Sequence, residues 1–327
     1  MLMIFSAEMS VATGAILTAA RLAENVSHSQ NEIRAAAKGD RSPVTVADYG
    51  VQAVICALLS RRFPEDRVIA EERSAELLGS GGPAMAEAVL AAVRRHFEPA
   101  AEFADICRWL EHGRSEHPGC RTWVLDPVDG TKGFLRGGHY ALALALLEDG
   151  RPRLGVLGCP RTPIGAGTGT LFGAEAGSGA WQAPLAKPDK RQAISVNAQA
   201  AGADMVIAES LESGHSDHSG QDRLRAILGC RVPPLRLDSQ AKYGMVARGE
   251  AAAYIRLPNP RTPDYREKVW DHAAGALIVE EAGGRVTDAR GLELDFGRGP
   301  TLAANLGVVA TNGRDHAAVL DAALSPR

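Results

Sequence analysis

An Asp-Gly pair between two apolar runs is the feature that most constrains the fold of this chain. Residues 140–148 are almost wholly apolar, and Asp149-Gly150 joins them to a second strand-like run over residues 151–158. A two-residue Asp-Gly connection favours a tight turn whose twist matches that of two antiparallel strands. The sequence therefore predicts a hairpin, and with it an antiparallel sheet, in the N-terminal half.

Helices are predicted on either side of this sheet. Between residues 47 and 63, apolar side chains recur at the spacing of one helix face, and a short strand-like run follows at 68–70. Beyond a polar, proline-containing stretch at 181–191, helices at 221–228, 240–248 and 270–282 alternate with strands at 204–208, 251–257 and 307–310. This mixed pattern predicts layered packing of helices on sheets rather than a barrel or a bundle.

Composition excludes several classes of protein. The 327 residues carry 36 basic and 39 acidic side chains, without a long run of either charge, so a surface for a nucleic acid polymer is not indicated. The five cysteines are scattered, which argues against a disulfide framework or a zinc ribbon. No apolar stretch approaches the roughly 18 residues of a membrane span. We expect a cytoplasmic monomer or homodimer that binds a small molecule and no membrane.

The segment Asp126-Pro-Val-Asp129-Gly-Thr131 is the most informative for chemistry. It follows a β-rich run, so two carboxylates three residues apart stand at the C-terminal end of a predicted strand. Oxygen ligands of this kind suit a hard divalent cation. The glycine permits a close backbone approach, and Thr131 can begin a helix whose free amides would face an anion. A metal ion and a phosphate could therefore meet here.

A structural explanation competes with this one. Asp-Pro and Asp-Gly are also common turn pairs, and Glu71, Glu72 and Asp271 could each be a solvated acid or a helix N-cap. Because each of these acids also stands at the edge of a predicted element, their combination favours a shared site.

Taken in order, these segments resemble the magnesium-dependent, lithium-sensitive phosphatase superfamily that includes the inositol monophosphatases. The resemblance runs from about residue 38 to residue 310. It rests on the motif at 126–131, on Trp270-Asp271-His-Ala-Ala-Gly275 and on Glu281-Ala-Gly-Gly284. It implies an α+β fold, the layered αβαβα sandwich of the inositol monophosphatase type.

Three further segments are similar to the bisphosphate nucleotidase branch of that superfamily. They are Lys132-Gly-Phe-Leu-Arg-Gly137, Ser42-Pro-Val-Thr45-Val-Ala-Asp48 and Leu237-Asp-Ser239-Gln-Ala-Lys242-Tyr243. This likeness implies hydrolysis of the 3′-phosphate of adenosine 3′,5′-bisphosphate to AMP and phosphate, extending to 3′-phosphoadenylyl sulfate, in sulfur metabolism. An inositol-phosphate or sugar-bisphosphate phosphatase is the nearest alternative, and a catalytically retired nucleotide-binding sensor is the second.

The resemblance also implies a ligand set for two or three Mg2+ ions. The matching positions are Glu71, Asp126, the carbonyl of Val128, Asp129 and Asp271. Asp48, paired with Thr131, matches the residue that handles the attacking water. Residues 1–185 would then form an α+β metal-binding subdomain.

Residues 186–327 would form an α/β substrate-binding subdomain. The positions implied for the substrate are His215, Ser239, Lys242 and Arg256, together with Thr131. Ser239 and Lys242 lie three residues apart at the start of a predicted helix, so both can face one anion. Without the resemblance, Lys242 and Arg256 would be interpreted as ordinary surface cations.

Other features fall outside the family pattern. Arg73 follows Glu72 where another acid is expected, which leaves the occupancy of an outer Mg2+ open. Residues 100–119 are interpreted as a loop whose histidines match no family position. The pair His215 and His218 has a spacing known from zinc sites, but its Ser-, Gly- and Asp-rich surroundings indicate a loop without other soft ligands.

Overall fold

The computed structural model describes residues 5–28, 35–37, 43–211, 218–258, 262 and 264–325. Within these residues the helices are α1 (Ser6–His28), α2 (Val46–Arg62), α3 (Ser74–Glu76), α4 (Gly82–His96), α5 (Phe103–His112), α6 (Thr131–Leu135), α7 (His218–Ile227), α8 (Ala241–Ala247), α9 (Ala273–Glu281) and α10 (His316–Leu324). The strands are β1 (Ala35–Ala37), β2 (Pro43–Thr45), β3 (Arg67–Ala70), β4 (Arg121–Asp129), β5 (Ala141–Glu148), β6 (Arg151–Ile164), β7 (Gly167–Glu175), β8 (Ala180–Pro184), β9 (Gln192–Ile194), β10 (Ile207–Glu209), β11 (Leu235–Arg236), β12 (Ala253–Arg256), β13 (Arg285–Thr287) and β14 (Val308–Thr311).

The predicted hairpin is part of a seven-stranded sheet with the order β3-β4-β5-β6-β7-β8-β9. β3 is parallel to β4, and every later neighbour pair is antiparallel. At the turn between β5 and β6, Asp149 and Gly150 have φ angles of 49° and 75°. Two consecutive left-handed residues form the turn that suits the twist of a hairpin. The hairpin prediction is confirmed.

A second sheet of five strands has the order β11-β10-β12-β14-β13. β10 is parallel to both of its neighbours, whereas β14 is antiparallel to β12 and β13. β9 lies beyond residue 185, where we placed the subdomain boundary, yet it pairs with β8 of the first sheet. The division into subdomains 1–185 and 186–327 stays a prediction.

Helices cover both faces of the first sheet. Trp123 and Leu125 of β4 belong to the hydrophobic core formed with α1 and α2, whereas Val124 belongs to the core formed with α8 and α9. Successive side chains of a strand project to opposite faces of its sheet. α1 and α2 therefore lie on one face, and α8 and α9 lie on the other.

α8 and α9 also cover one face of the second sheet. Tyr243 of α8 packs edge-on against Tyr254 of β12, with ring centroids 5.0 Å apart. On the opposite face, Ile255 shares a core with Leu224 of α7 and Val319 of α10. The layers therefore follow the order helix, sheet, helix, sheet, helix, and the expected αβαβα sandwich is confirmed.

Two helices depart from the expectations. Residues 100–119 are not a loop throughout, because α5 occupies 103–112 and buries Ile106, Trp109 and Leu110 at the spacing of one helix face. Its first turn is closed by a capping box in which the Glu102 N–H donates to the Asp105 carboxylate at 2.8 Å. α1 was not predicted at all. In the part of the chain that the structure describes, no helix combines the length and the apolar character needed to cross a membrane.

Candidate active site

A bulge at the end of β4 separates the two aspartates of the central motif. Asp126 pairs with Ala143 and Asp129 with Ala141, so β4 advances by three residues while β5 advances by two. Because Pro127 has no N–H to donate to the neighbouring strand, a bulge at this point sacrifices no hydrogen bond from that residue. Asp126 is buried with 1% of its surface exposed, whereas Asp129 is only partly buried.

Gly130 brings this motif into contact with the segment that precedes α8. Its φ is 85°, a conformation that favours glycine, and it forms the N-cap of α6. A Cβ atom at this position would lie 3.1 Å from the Cβ of Ser239. The predicted helix start at Thr131 is confirmed.

Asp48 and Thr131 are brought together across the two elements that carry them. The Thr131 hydroxyl lies 3.2 Å from Asp48 Oδ1 and 3.1 Å from the Val128 carbonyl oxygen. Asp48 Oδ2 also accepts from the Thr45 N–H at 2.7 Å and from the Thr45 hydroxyl at 2.6 Å. The bond from the Thr45 N–H is one half of the capping box of α2, whose Thr-x-x-Asp spacing is visible in the sequence, and the bond from the Thr45 hydroxyl is additional. The carboxylate of Asp48 is therefore held in place by donors from two segments.

Glu71 follows β3 at the same edge of the sheet. Ala70 pairs in parallel with Leu125, so the ends of β3 and β4 lie side by side. The next residue, Glu72, is held by Gln52 of α2 at both backbone groups. The Glu72 N–H donates to Gln52 Oε1 at 2.8 Å, and Gln52 Nε2 donates to the Glu72 carbonyl at 2.7 Å. Gln52 was not predicted as a site residue.

Asp271 stands on a turn of 3-10 helix just before α9. Arg256 lies 3.5 Å from Asp271 through Nη1 and 2.9 Å from Glu267 through Nε. Glu267 also contacts His272, whose other ring nitrogen lies 2.7 Å from the Tyr243 hydroxyl. The arginine thus sits between two carboxylates, and neither Glu267 nor His272 was predicted.

The acids influence one another's ionisation. Burial raises the pKa of Asp129 and of Asp271, and Glu71 adds to the rise at both. Asp129 raises the pKa of Asp271 further, while Lys242 and Arg256 act in the opposite direction on Asp129. Carboxylates that are shielded from water and repel one another are stabilised by a divalent cation placed between them. Because all of these ligand atoms are oxygens, they suit Mg2+.

The predicted metal ligands are brought together only in part. Among the residues that the structure describes, the three metal-capable side chains whose ligand atoms all lie within 4.8 Å of one another are Glu267, Asp271 and His272. Glu71, Asp126 and Asp129 line the edge of the first sheet, and their carboxylate oxygens are not part of this group within 4.8 Å. The role of each predicted ligand stays a prediction.

The two predicted substrate cations are not surface residues. Lys242 is 3% exposed, with Nζ 3.3 Å from the Leu237 carbonyl oxygen and 5.1 Å from the centroid of the Tyr254 ring. Burial lowers its pKa to about 8, although Asp129 favours the charged form. The side chain of Arg256 is 16% exposed. The interpretation of Lys242 and Arg256 as ordinary surface cations is wrong.

Ser239 and His215 complete the predicted substrate residues. Ser239 is 6% exposed and has a φ of 70°, which is unusual for a residue other than glycine. His215 lies outside the described residues. Just before Ser239, Asp238 accepts from Arg136 Nη2 at 2.7 Å, which ties the segment after α6 to the segment before α8.

The chain is similar to known proteins over nearly its whole length. The family model described as Inositol monophosphatase family matches residues 4–325. This chain belongs to that family. A 3′(2′),5′-bisphosphate nucleotidase of Emericella nidulans is 41% identical over 303 residues, which cover 84% of this chain and 85% of that protein. A protein of the same name from Oryza sativa is 40% identical over 329 residues, covering 94% and 91%.

Solved structures share the fold. The extragenic suppressor protein suhB of Bartonella henselae has a TM-score of 0.67 at 23% identity, covering 98% of this chain and all of that one. An IMPase of Thermotoga maritima also has a TM-score of 0.67, at 21% identity, with 97% and 96% covered. A structure described as 2′AMP-bound SaIMPase-II has a TM-score of 0.60 at 20% identity, with 98% and 94% covered.

Proposed function

We propose that this chain is a Mg2+-dependent phosphatase that hydrolyses the 3′-phosphate of adenosine 3′,5′-bisphosphate to AMP and phosphate, with 3′-phosphoadenylyl sulfate as a further substrate. The observation that carries the proposal is the burial of two cations, Lys242 and Arg256, beside the carboxylates. A phosphate that reacts needs the acids and their metal ions, whereas a second phosphate that does not react needs cations of the chain. Relatives about 40% identical that are named bisphosphate nucleotidases support the same substrate class.

The edge of the first sheet would hold the metal ions. We assign Mg2+ ligands to Glu71, Asp126, the Val128 carbonyl, Asp129 and Asp271, for two or three ions. When bound, such ions neutralise the phosphate dianion, lower the pKa of a bound water and stabilise the leaving oxygen. The four carboxylates supply the negative charge that keeps the ions in place.

Asp48 and Thr131 would direct the attacking water. Thr131 has a single hydroxyl proton, and Asp48 Oδ1 lies within its reach at 3.2 Å. When that proton is donated to Asp48, the lone pairs of Thr131 are left to accept a hydrogen bond from water at a fixed position. The donors from Thr45 hold Asp48 in the acceptor role that this step requires. Thr131 would also touch the reacting phosphate.

The second phosphate would bind beside α8. Lys242 can act as a point charge and Arg256 can present a planar fork, while Ser239 can donate through its hydroxyl. His215 is assigned to the base of the nucleoside. The two subdomains, the monomeric or homodimeric state and the cytoplasmic location stay predictions.

One assay separates this function from its alternatives. Phosphate release is measured with Mg2+ from adenosine 3′,5′-bisphosphate, inositol 1-phosphate and fructose 1,6-bisphosphate side by side, and again with a chelator. We expect the highest kcat/KM on the adenosine compound and loss of turnover with the chelator. A preference for inositol 1-phosphate or fructose 1,6-bisphosphate would replace the proposed substrate. Binding of the nucleotide without any release would indicate a sensor, a role that does not require the contact between Asp48 and Thr131.

A further inference from the structure

Gln240 lies where the acids of the first sheet meet the substrate-binding part of the second. It is 2% exposed and stands immediately before α8, between Ser239 and the helix that carries Lys242. Its backbone N–H donates to Asp129 Oδ2 at 2.6 Å. Its side-chain amide donates to the carbonyl oxygen of Trp270 at 2.9 Å. One buried residue therefore contacts two of the segments that carry predicted metal ligands.

The bond to Trp270 acts directly on the backbone of Asp271. The Trp270 carbonyl and the Asp271 N–H belong to the same planar peptide unit. Gln240 holds the carbonyl end of this unit, and the Asp271 N–H donates to the Lys268 carbonyl at 3.2 Å at the other end. A planar unit held at both ends leaves the Cα of Asp271 little freedom to move.

The bond to Asp129 acts on the other carboxylate. A short, charge-assisted hydrogen bond from a backbone N–H to a carboxylate fixes the position of one of its oxygens, here Oδ2 of Asp129. Ser239 and Lys242 lie on the same turn of chain as Gln240, so this turn connects the contact with Asp129 to two of the side chains assigned to the second phosphate.

We propose that Gln240 is a positioning residue that holds Asp129 and Asp271 at the spacing needed for Mg2+ and couples this spacing to the segment that binds the second phosphate. The inference rests on the proposed function, since it requires those two acids to bind Mg2+. Outer-shell partners that orient metal ligands typically contribute about 10- to 100-fold to metal affinity or activity.

The chain offers a closely matched control in Gln221. Gln221 is 3% exposed and its side-chain amide donates to the Ile255 carbonyl at 2.9 Å. No described residue donates to the Oε1 atom of either glutamine. The two side chains thus have similar burial and the same kind of bond, and Ile255 packs in the outer core with α7 and α10. The peptide unit that Gln221 holds leads into Arg256, which is assigned to the substrate and not to Mg2+, so titration of the substrate-free protein is the readout that separates the two glutamines.

The test is direct titration of the substrate-free protein with Mg2+ by calorimetry, for the parent, Gln240→Met and Gln221→Met. Methionine keeps the length of the side chain, and the N–H to Asp129 remains. We expect Gln240→Met to raise the Mg2+ dissociation constant about 10-fold or more. The Mg2+ dissociation constant of Gln221→Met should equal that of the parent within the error of the titration. The melting temperature of both variants should fall, because each loses a buried hydrogen bond.

Turnover gives a second readout of the same proposal. Raising Mg2+ should restore most of kcat in Gln240→Met, because the ligands are misplaced but not removed. If the variant does not fold, Gln240→Asn, whose shorter amide cannot reach Trp270, takes its place. Equal Mg2+ affinity in the parent and the Gln240 variant would overturn the inference, and so would an equal loss in the Gln221 variant. Failure of the parent itself to bind Mg2+ would instead overturn the proposed function.

Discussion

The end of β4 and the start of α8 both contribute buried charged groups to the candidate site, but they do so in different ways. The β4 segment supplies Asp126, Asp129 and Thr131 from six consecutive residues of one motif. The α8 segment supplies Lys242, while the other cation, Arg256, comes from a strand of the second sheet. Asp126 and Asp129 therefore share a local backbone, whereas the cations are brought together by the packing of α8 on the second sheet. This contrast explains why the proximity of Asp126 and Asp129 could be predicted from their spacing, whereas the burial of the cations could not.

The largest effect is expected for Asp126→Asn at the end of β4. A neutral amide cannot hold a divalent cation as a carboxylate does or offset its charge, so turnover should be abolished while the fold remains. Phosphate release at saturating Mg2+ and a thermal unfolding curve check the two parts of this expectation.

Asp66→Asn is the matched control for this substitution. Asp66 immediately precedes β3 and lies beside the start of β4, where its carboxylate contacts Arg121 at 3.0 Å and Trp123 Nε1 at 2.9 Å. That variant should lose stability and keep turnover. If the activity of Asp126→Asn stays within about tenfold of the parent, the activation free energy has changed by less than about 1.4 kcal/mol. Asp126 would then not be a metal ligand.

A smaller loss is expected for Thr131→Val. The substitution keeps the shape of the side chain but removes the hydroxyl that contacts Asp48. The rate should fall about 10²-fold or more, as is typical for lost acid–base positioning, with less change in the activation by Mg2+. Steady-state rates over a range of Mg2+ concentrations separate the two effects.

Thr170→Val controls for the loss of a buried hydroxyl. Thr170 is fully buried on β7 and donates to the Thr162 carbonyl at 3.0 Å. The rate of phosphate release by Thr170→Val should equal that of the parent. If Thr131→Val loses Mg2+ affinity while turnover at saturating Mg2+ is unchanged, Thr131 supports the ligands and does not direct water.

Much of the fold could be predicted because its signals are local. The Asp149-Gly150 turn, the helix now seen at 46–62 and the strand at 67–70 each depend on a few neighbouring residues. α1 escaped prediction because much of its buried face is alanine, which contrasts weakly with its surroundings. α5 was missed although its sequence carries both a capping box and an apolar stripe.

The site shows the same division. Asp48, Glu71 and Asp271 stand at the ends of elements, and such positions can be recognised in a sequence. Gln52 and Gln240 carry no comparable signal, since an isolated glutamine in a helix or before one is ordinary on a surface. Their importance comes from bonds to backbone groups 20 and 30 residues away. Only the folded chain shows which carbonyl a buried amide will meet.

The role of the α8 segment is tested by Lys242→Met, which keeps the apolar stem of the side chain and removes its charge. One lost charge-assisted hydrogen bond costs about 1.5–3 kcal/mol, which corresponds to roughly 10- to 150-fold. kcat/KM should fall by this factor for adenosine 3′,5′-bisphosphate and scarcely change for adenosine 3′-monophosphate, which has no second phosphate.

An exposed lysine provides the control for net charge. Lys187 is exposed on the turn after β8, and Lys187→Met should leave kcat/KM for both nucleotides as in the parent. Equal losses of Lys242→Met on the two nucleotides would place Lys242 at the reacting phosphate. The β4 and α8 segments would then both serve the same phosphate.

The smallest effect concerns the stability of the second sheet in mild acid. His316 is 3% exposed, and its ring nitrogens lie 2.8 Å from the hydroxyls of Thr287 on β13 and Thr311 on β14. Burial lowers its pKa to about 4, whereas the pKa of an unfolded histidine is about 6.5. The unfolded chain therefore binds the proton first as the pH falls.

This difference fixes the direction of the pH dependence. The stabilisation from neutral His316 is complete above about pH 6.5 and is lost towards pH 4, by at most about 1.4 kcal/mol per pH unit. Urea unfolding of the parent and of His316→Gln at several pH values isolates this contribution, because the other titrating groups are common to both proteins. The advantage of the parent should shrink as the pH falls from about 6.5. An advantage that stays constant over this range would mean that His316 carries the same proton in both states, and acid would then give no means of weakening the second sheet separately from the first.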